Sequence, residues 1–230
     1  MLRSVGGLTS GRGVRSARVA AFDAGLVRRW VRETAIELSA QRDYLTQLDA
    51  AIGDADHGIN MDRGFAAAVS ALEAADDASP GELLVRTGTT LMFRVGGEAG
   101  PLYGTGLREA GRALGGAPTF GMAEMISALR SGLEAIQSLG AAVEGDKTIV
   151  DAWAPAVAAM ERSVRSRAAA EEVLRGGREA AGEGASATTP LQARKGRASY
   201  LGPRSVGHQD PGATSTALIF AALERAARAS

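Results

Sequence analysis

The hydrophobic residues of this chain follow helical spacing over most of its length. From Asp23, apolar positions recur every three or four residues through Val27, Val31, Leu38 and Leu48, which predicts one long first helix with a buried face. Further segments with the same spacing predict helices over about 61–72, 84–95, 101–114, 122–136, 149–164, 167–187 and 213–229. The pattern therefore indicates about eight helices, separated by polar connections.

The connections between these segments include residues that favour the start of a helix. Pro101 suits a first helical turn, since its missing N–H would have no partner there, and Thr119 and Thr148 are predicted helix caps. No run of alternating β-branched residues predicts a convincing strand. We therefore expect an all-α fold, an antiparallel helical bundle in a single domain over residues 20–230, with a long irregular segment over 188–212.

The amino-acid composition limits the kinds of molecule that the chain is expected to bind. The 230 residues include 26 Lys plus Arg and 26 Asp plus Glu, so the chain as a whole offers no general attraction to nucleic acid or to an anionic membrane. There is no cysteine, which excludes disulfides and thiolate metal sites. No apolar run is long enough to cross a bilayer. We expect a cytoplasmic protein that binds neither nucleic acid nor membrane.

The first residues differ from the rest. Residues 1–18 contain four Arg and no acid, together with several Gly and Ser. Such a start is typical of an organellar transit peptide, and equally of a disordered tail or an upstream start site. We set residues 1–19 aside as a basic, disordered tail.

One connection, LDAAIGDADHGINMDRG over residues 48–64, crowds three carboxylates together. Two such charges about 4 Å apart repel by roughly 4 kcal/mol at an effective dielectric near 20, so Asp49, Asp54 and Asp56 together require a cation. The spacing is not that of a calcium-binding EF-hand, because the twelfth position from Asp54 is Phe65, and Mg²⁺ fits better. A solvated turn whose aspartates cap the next helix is the alternative interpretation.

A histidine, His57, follows these carboxylates directly. The chain has only two histidines, which excludes a zinc site built on several imidazoles. We expect His57 to position the loop, with proton transfer as its second possible role.

A glycine-rich connection, VGGEAGPLYGTG over residues 95–106, offers backbone N–H groups just before a helix. That arrangement can bind phosphate oxygens. It is neither a P-loop nor a dinucleotide fingerprint, since no Gly-Lys-Ser/Thr follows and no strand precedes it. A tight turn between two helices is the alternative.

Two further connections carry charged residues. GDKTIVDAWAP over 145–155 places Asp146 and Lys147 immediately before a helix, and the basic KGRASYLGPRSVGHQDPGATS over 195–215 contains Lys195, Arg197 and Arg204. The planar guanidinium of arginine suits phosphate, although a basic loop can also be merely solvated. Acidic, glycine-rich and basic connections at helix ends together predict a magnesium–nucleotide site.

These four connections resemble, in the same order, the motifs of the L-subunit family of dihydroxyacetone kinases, and the resemblance covers about residues 20–229. It implies a barrel of eight antiparallel helices with the nucleotide at one end. It also implies that Asp49, Asp54 and Asp56 bind two Mg²⁺ ions that bridge the phosphates of ADP or ATP, with Arg197 as a catalytic phosphate contact. The other nucleotide-binding positions that it implies are His57, Gly58, Ile59, Asn60, Glu98, Ala99, Gly140, Ile149, Asp210, Pro211 and Gly212.

The chain departs from the family pattern at two places. Ala55 replaces a glycine within the acidic motif, and Glu98 and Ala99 stand where the family has Ala-Ser. An alanine at a position that requires positive φ costs about 1 kcal/mol. The second departure removes a hydroxyl and adds a carboxylate near the expected phosphates, which bears on catalytic efficiency, nucleotide retention and substrate identity.

The resemblance implies a function shared between proteins. The expected activity is phosphate transfer from metal-held nucleotide to dihydroxyacetone, or a similar small ketose, on a separate K subunit. A phosphohistidine donor protein of the phosphotransferase system, of the M-subunit type, would recharge bound ADP. The alternatives are a subunit that exchanges ATP and serves another ketose such as erythrulose, or a nucleotide-state sensor. A homodimer is also considered.

Overall fold

The computed structural model describes residues 21–228, and the predicted basic tail lies outside them. Within this part the chain forms nine α-helices, one 3-10 segment and two very short strands. The elements are β1 (Phe22–Asp23), α1 (Ala24–Ala40), α2 (Arg42–Ile52), α3 (His57–Glu73), α4 (Pro80–Arg94), α5 (Ala99–Leu114), β2 (Thr119–Phe120), α6 (Met122–Gly140), α7 (Val150–Arg165), α8 (Ala170–Ala187), the 3-10 segment (Arg197–Ser205) and α9 (Pro211–Arg228). The predicted all-α class is confirmed.

The prediction of one long first helix is wrong, because the chain bends at Gln41 between α1 and α2. Gln41 has φ −100° and ψ 8°, outside the helical region. The bend leaves backbone hydrogen bonds in place: Gln41 N–H bonds to Glu37 and Leu45 N–H to Gln41, both at 2.9 Å. Leu38 and Leu45 are buried on either side of the bend. The hydrophobic period therefore continues through it and cannot reveal it.

Thr119 is not the cap of α6, contrary to the prediction. It pairs with Asp23 in a two-residue antiparallel ladder, next to the pair Phe22 and Phe120, whose rings lie 5.6 Å apart. α6 begins after Gly121, whose N–H donates to the Glu124 carboxylate at 3.0 Å. The ladder is too short to show the alternating pattern that identifies strands in sequence.

Most helices pack mainly on their neighbours along the chain, whereas α1 packs mainly on α3 and on α9, which returns to it from the end of the fold. The closure of the chain is marked by Trp30 on α1, whose ring N–H donates to the Ile219 carbonyl on α9 at 3.0 Å. At the next residue of α9, Phe220 meets the fully buried Trp153 of α7 edge to face at 5.7 Å. The barrel implied by the family resemblance stays a prediction. No helix within residues 21–228 is long and apolar enough to span a bilayer.

Glycines allow α4 and α5 to approach backbone to backbone. A Cβ on Gly88 would lie 2.4 Å from the Gly104 carbonyl oxygen, and one on Gly104 would lie 2.8 Å from that of Gly88. Gly81 and Gly111 form a second pair of the same kind. These contacts bring together the helices that flank the glycine-rich connection.

We predict that Gly88→Ala lowers the free energy of unfolding by about 1–3 kcal/mol, although alanine is the better helix former, because the added methyl has no space. The matched control is Gly182→Ala in α8, where a Cβ would meet nothing within 4 Å. That variant should gain about 0.5–1 kcal/mol. Urea denaturation followed by circular dichroism measures both, and equal effects would contradict the prediction.

Candidate nucleotide and metal site

A cleft of about 480 Å³ opens where the connections between helices meet at one end of the bundle. Its walls come from the acidic connection, the glycine-rich connection, the α6–α7 connection and the segment that precedes α9. One part of the wall is apolar and is formed by Leu102, Ile136, Leu139, Ala142, Ile149 and Val150. The four connections singled out in the sequence therefore share one cavity.

Asp49 organises the acidic connection. It lies buried in the last turn of α2, and its Oδ2 accepts the N–H of Asp56 at 2.9 Å and that of His57 at 3.2 Å. These N–H groups belong to the start of α3, where a helix has unpaired donors and a partial positive charge. One aspartate thus caps the next helix, as the alternative interpretation expected, and the same bonds bring the other two alongside it.

The three carboxylates converge. Asp49, Asp54 and Asp56 each offer a ligand oxygen, and these oxygens all lie within 4.8 Å of one another. Arg197 contacts the cluster from the opposite wall, with its guanidinium 3.1 Å from Asp54. A donor set made only of carboxylate oxygens, with room for further oxygen ligands in the cleft, fits Mg²⁺.

Ala55, between Asp54 and Asp56, has φ 62°. This is the left-handed region that alanine rarely adopts, so the residue carries a strain of about 1–2 kcal/mol. The energetic cost that the sequence predicts for an alanine at positive φ therefore applies to Ala55. The loop keeps its shape because Asp49, which precedes Ala55, accepts the N–H groups of Asp56 and His57, which follow it.

His57 is held by a chain of buried hydroxyls. Its Nε2 lies 2.9 Å from Ser215 Oγ, which in turn lies 2.7 Å from the hydroxyl of Tyr103. Burial lowers the pKa of His57 against the opposing effect of Asp49, Asp56 and Asp54, and burial raises the pKa of Tyr103. A neutral imidazole fixed at both its backbone and its ring agrees with the expected positioning role.

Asp210 caps α9 from inside the protein. Its Oδ2 accepts the N–H of Ala213 at 2.6 Å, and its own N–H donates to Thr188 Oγ1 at 2.9 Å. Burial raises the pKa of Asp210 to about 7; Asp151 and Asp49 act in the same direction, and the Ala213 bond and Lys147 oppose them. A carboxyl of this kind changes charge close to neutral pH.

The α6–α7 connection is shaped by Asp151, which the sequence reasoning missed. Its two carboxylate oxygens accept the N–H groups of Gly145 at 2.6 Å and Thr148 at 2.7 Å. Thr148 Oγ1 accepts the N–H of Val150 at 3.1 Å, although the residue directly before α7 is Ile149. A threonine followed three residues later by an acid is the capping-box pattern, and it could have revealed Asp151.

Most of the candidate residues from the sequence lie on the cleft wall: Asp49, Asp54, Asp56, His57, Asn60, Glu98, Ala99, Gly140, Ile149, Arg197, Asp210, Pro211 and Gly212. Two do not. Gly58 packs against α2, where an added Cβ would lie 2.0 Å from the Arg42 carbonyl oxygen, and Ile59 lies outside the cleft with half of its surface exposed. Lys147 and Lys195 also line the wall, whereas Arg204 does not.

The matches to known proteins agree with this geometry. The DAK2 domain model matches residues 51–225. The PEP-dependent dihydroxyacetone kinase, ADP-binding subunit DhaL, of Escherichia coli is 42% identical over 199 residues, which are 86% of this chain and 95% of that protein. The corresponding subunit of PEP-dependent dihydroxyacetone kinase 1 from Listeria innocua is 36% identical over 88% of this chain and 96% of its own length. The chain belongs to the DhaL family of DAK2-domain proteins.

This chain also resembles a solved dihydroxyacetone kinase structure that contains a nucleotide analogue and Mg²⁺. The crystal structure of the dihydroxyacetone kinase from C. freundii in complex with AMP-PNP and Mg²⁺ matches with a TM-score of 0.68 and 27% identity. The match covers 97% of this chain and 38% of that kinase, so this chain spans little more than a third of its length. The family resemblance read from the motifs is thus confirmed over most of the chain.

We predict that Asp210→Asn flattens the pH dependence of stability in metal-free protein. Between about pH 4 and pH 7 the folded state keeps a proton on Asp210 that the unfolded state has released, so wild-type stability falls as pH rises. The slope due to this residue is at most about 1.4 kcal/mol per pH unit. Urea denaturation in EDTA at several pH values measures it, and parallel profiles for the two proteins would contradict the prediction.

Proposed function

We propose that this chain is the nucleotide-binding phosphotransfer subunit of a dihydroxyacetone kinase. It would hold ADP or ATP through Mg²⁺ in the cleft and deliver phosphate to dihydroxyacetone bound on a separate K subunit. The observation that carries the proposal is the convergence of Asp49, Asp54 and Asp56 within 4.8 Å, facing Arg197 across a cleft. The names and the coverage of the DhaL relatives support it.

The metal ligands in this proposal are Asp49, Asp54 and Asp56, and the charge of the cluster supports two ions. Bound Mg²⁺ would neutralise phosphate charge as it develops during transfer. Asp49 contributes a second effect of its own, because its Oδ2 is oriented by two backbone N–H groups before any metal arrives. A ligand oriented in advance loses less freedom on binding.

The nucleotide would lie between the glycine-rich connection and the segment before α9. The start of α5, at Glu98 and Ala99, lines the cleft, and the unpaired N–H groups of a helix start suit phosphate oxygens. Arg197 is more than half exposed and, among residues 21–228, forms its ion pair with Asp54. It can therefore turn towards a phosphate when metal takes over that carboxylate. The apolar wall near Ile149 and Gly140 suits a nucleobase.

A separate ketose-binding subunit and a protein phosphate donor complete the proposal. The chain covers 95% and 96% of two relatives that are named as subunits of PEP-dependent kinases, which favours recharging of bound ADP by a phosphohistidine protein over free exchange of ATP. The subunit would then keep its ADP as a cofactor through successive cycles. A homodimer stays a prediction.

We predict that Asp54→Asn weakens binding of MgADP at least tenfold, roughly, because a charged oxygen ligand is replaced by a neutral one. The matched control is Asp77→Asn, an exposed carboxylate in the α3–α4 connection, which should bind as the wild type does. Isothermal titration calorimetry with ADP and Mg²⁺ measures both. Equal affinity of Asp54→Asn and wild type would remove the metal assignment.

We also predict that protein purified without added nucleotide retains ADP through gel filtration. Phosphate should then pass to dihydroxyacetone only when a K subunit and a phosphohistidine donor are both supplied. Mass spectrometry of the denatured sample detects the ADP, and a coupled assay of dihydroxyacetone phosphate detects transfer. Rapid turnover with ATP and a K subunit alone would overturn the cofactor model, and binding without any transfer would overturn the kinase role.

A further inference from the structure

A buried lysine at the cleft has no place in the function proposed above. Lys147 lies in the α6–α7 connection and is 1% exposed. Its φ is 65°, a conformation that a lysine keeps only where the surroundings over-determine it. A buried ammonium requires strong hydrogen bonds, so its partners indicate its role.

Those partners are two backbone carbonyls far apart in sequence. Lys147 Nζ donates to the Leu191 carbonyl at 3.0 Å and to the Ser205 carbonyl at 2.6 Å. Both carbonyls belong to the segment over residues 188–210, which runs from the end of α8 to the start of α9. One side chain therefore joins the two sides of this segment, and we call the segment the basic loop.

The ends of the basic loop are closed by further hydrogen bonds. The N–H of Gly207 donates to the Thr189 carbonyl at 2.8 Å, and the N–H of Ala193 donates to Ser205 Oγ at 2.9 Å. These bonds tie together a loop that has little regular structure of its own. Between the closed ends, the middle of the loop projects over the cleft.

Arg197 is the residue that this closure places. It lies between Leu191 and Ser205, at the first position of the 3-10 segment, and reaches Asp54 at 3.1 Å. Its side chain is 61% exposed, and within residues 21–228 its ion pair is with Asp54. Its position therefore depends on the backbone that carries it.

We infer that Lys147 is a positioning residue: by bonding the Leu191 and Ser205 carbonyls it holds the basic loop closed, so that Arg197 faces the carboxylate cluster. The inference that Lys147 holds the loop closed does not depend on the proposed function. Its effect on nucleotide binding rests on the proposed function. A direct contact between Lys147 and phosphate is the competing role. That contact would require the ammonium to break its hydrogen bonds to the two carbonyls.

The first test measures closure in the protein without nucleotide. In Lys147→Met, which keeps the length of the side chain without its donors, hydrogen exchange of peptides spanning residues 191–207 should accelerate at least tenfold, roughly. Exchange in α4 and α5 should not change. Arg204→Met is the control, since it removes a positive charge from the same loop without touching its closure. Unchanged exchange in Lys147→Met would overturn the inference.

The second test asks whether Lys147 acts through Arg197. Calorimetry with ADP and Mg²⁺ compares Lys147→Met, Arg197→Ala and the double variant. Each single substitution should weaken binding of MgADP about tenfold. The double variant should have about the same affinity as the single variant with the lower affinity, because the effects of residues that act as a unit do not add. Losses that multiply would assign Lys147 its own phosphate contact and overturn the positioning role.

A second variant covers the case in which Lys147→Met does not fold. Ser205→Ala removes the Oγ that accepts the Ala193 N–H and leaves the ammonium in place, so it should give faster exchange over 191–207 and the same non-additivity with Arg197→Ala. Exchange over residues 191–207 as slow as in the wild type, together with losses of MgADP affinity that add, would overturn the inference. If the wild type binds no MgADP, the proposed function fails, and the exchange experiment still decides the closure.

Discussion

Repulsion among three carboxylates is the constraint on which the cleft depends. Asp49, Asp54 and Asp56 lie within 4.8 Å of one another, an arrangement that costs several kcal/mol without compensation. The protein supplies part of that compensation itself. The N–H groups at the start of α3 bond to Asp49, and Arg197 pairs with Asp54. The remaining negative charge is what makes the cluster suited to a divalent cation.

Each of these compensating groups depends on a different part of the fold. The start of α3 is placed by the turn through Ala55, whose strained φ of 62° is tolerated because Asp49 bonds across the turn. Arg197 is placed by a loop from the other end of the chain, next to α9, which packs on α1. The close approach of α4 and α5 through paired glycines positions the glycine-rich wall opposite. Packing remote from the cleft thus determines the distances within it.

Buried polar groups beneath the cleft wall perform a related task. The Asp151 bonds to Gly145 and Thr148 and the Lys147 bonds to two carbonyls hold irregular backbone in place. The chain from His57 through Ser215 to Tyr103 joins the helices α3, α9 and α5. Irregular segments cannot satisfy their backbone groups by regular helix bonding, so side chains do it instead. Irregular segments of this chain line the cleft, and these polar groups bond to their backbone.

The sequence by itself determined the helical class, most helix positions and the connections that meet at the cleft, because periodicity and local motifs record what each segment does with its near neighbours. It missed the bend at Gln41, where backbone bonding and the apolar stripe both continue. Gly58 and Ile59, nucleotide-binding positions by the family resemblance, do not line the cleft. Only tertiary structure decided that Arg197 meets Asp54 and that Lys147 bonds to Leu191 and Ser205. Those contacts join residues far apart in the chain, and a backbone carbonyl as partner leaves no trace in the amino-acid pattern.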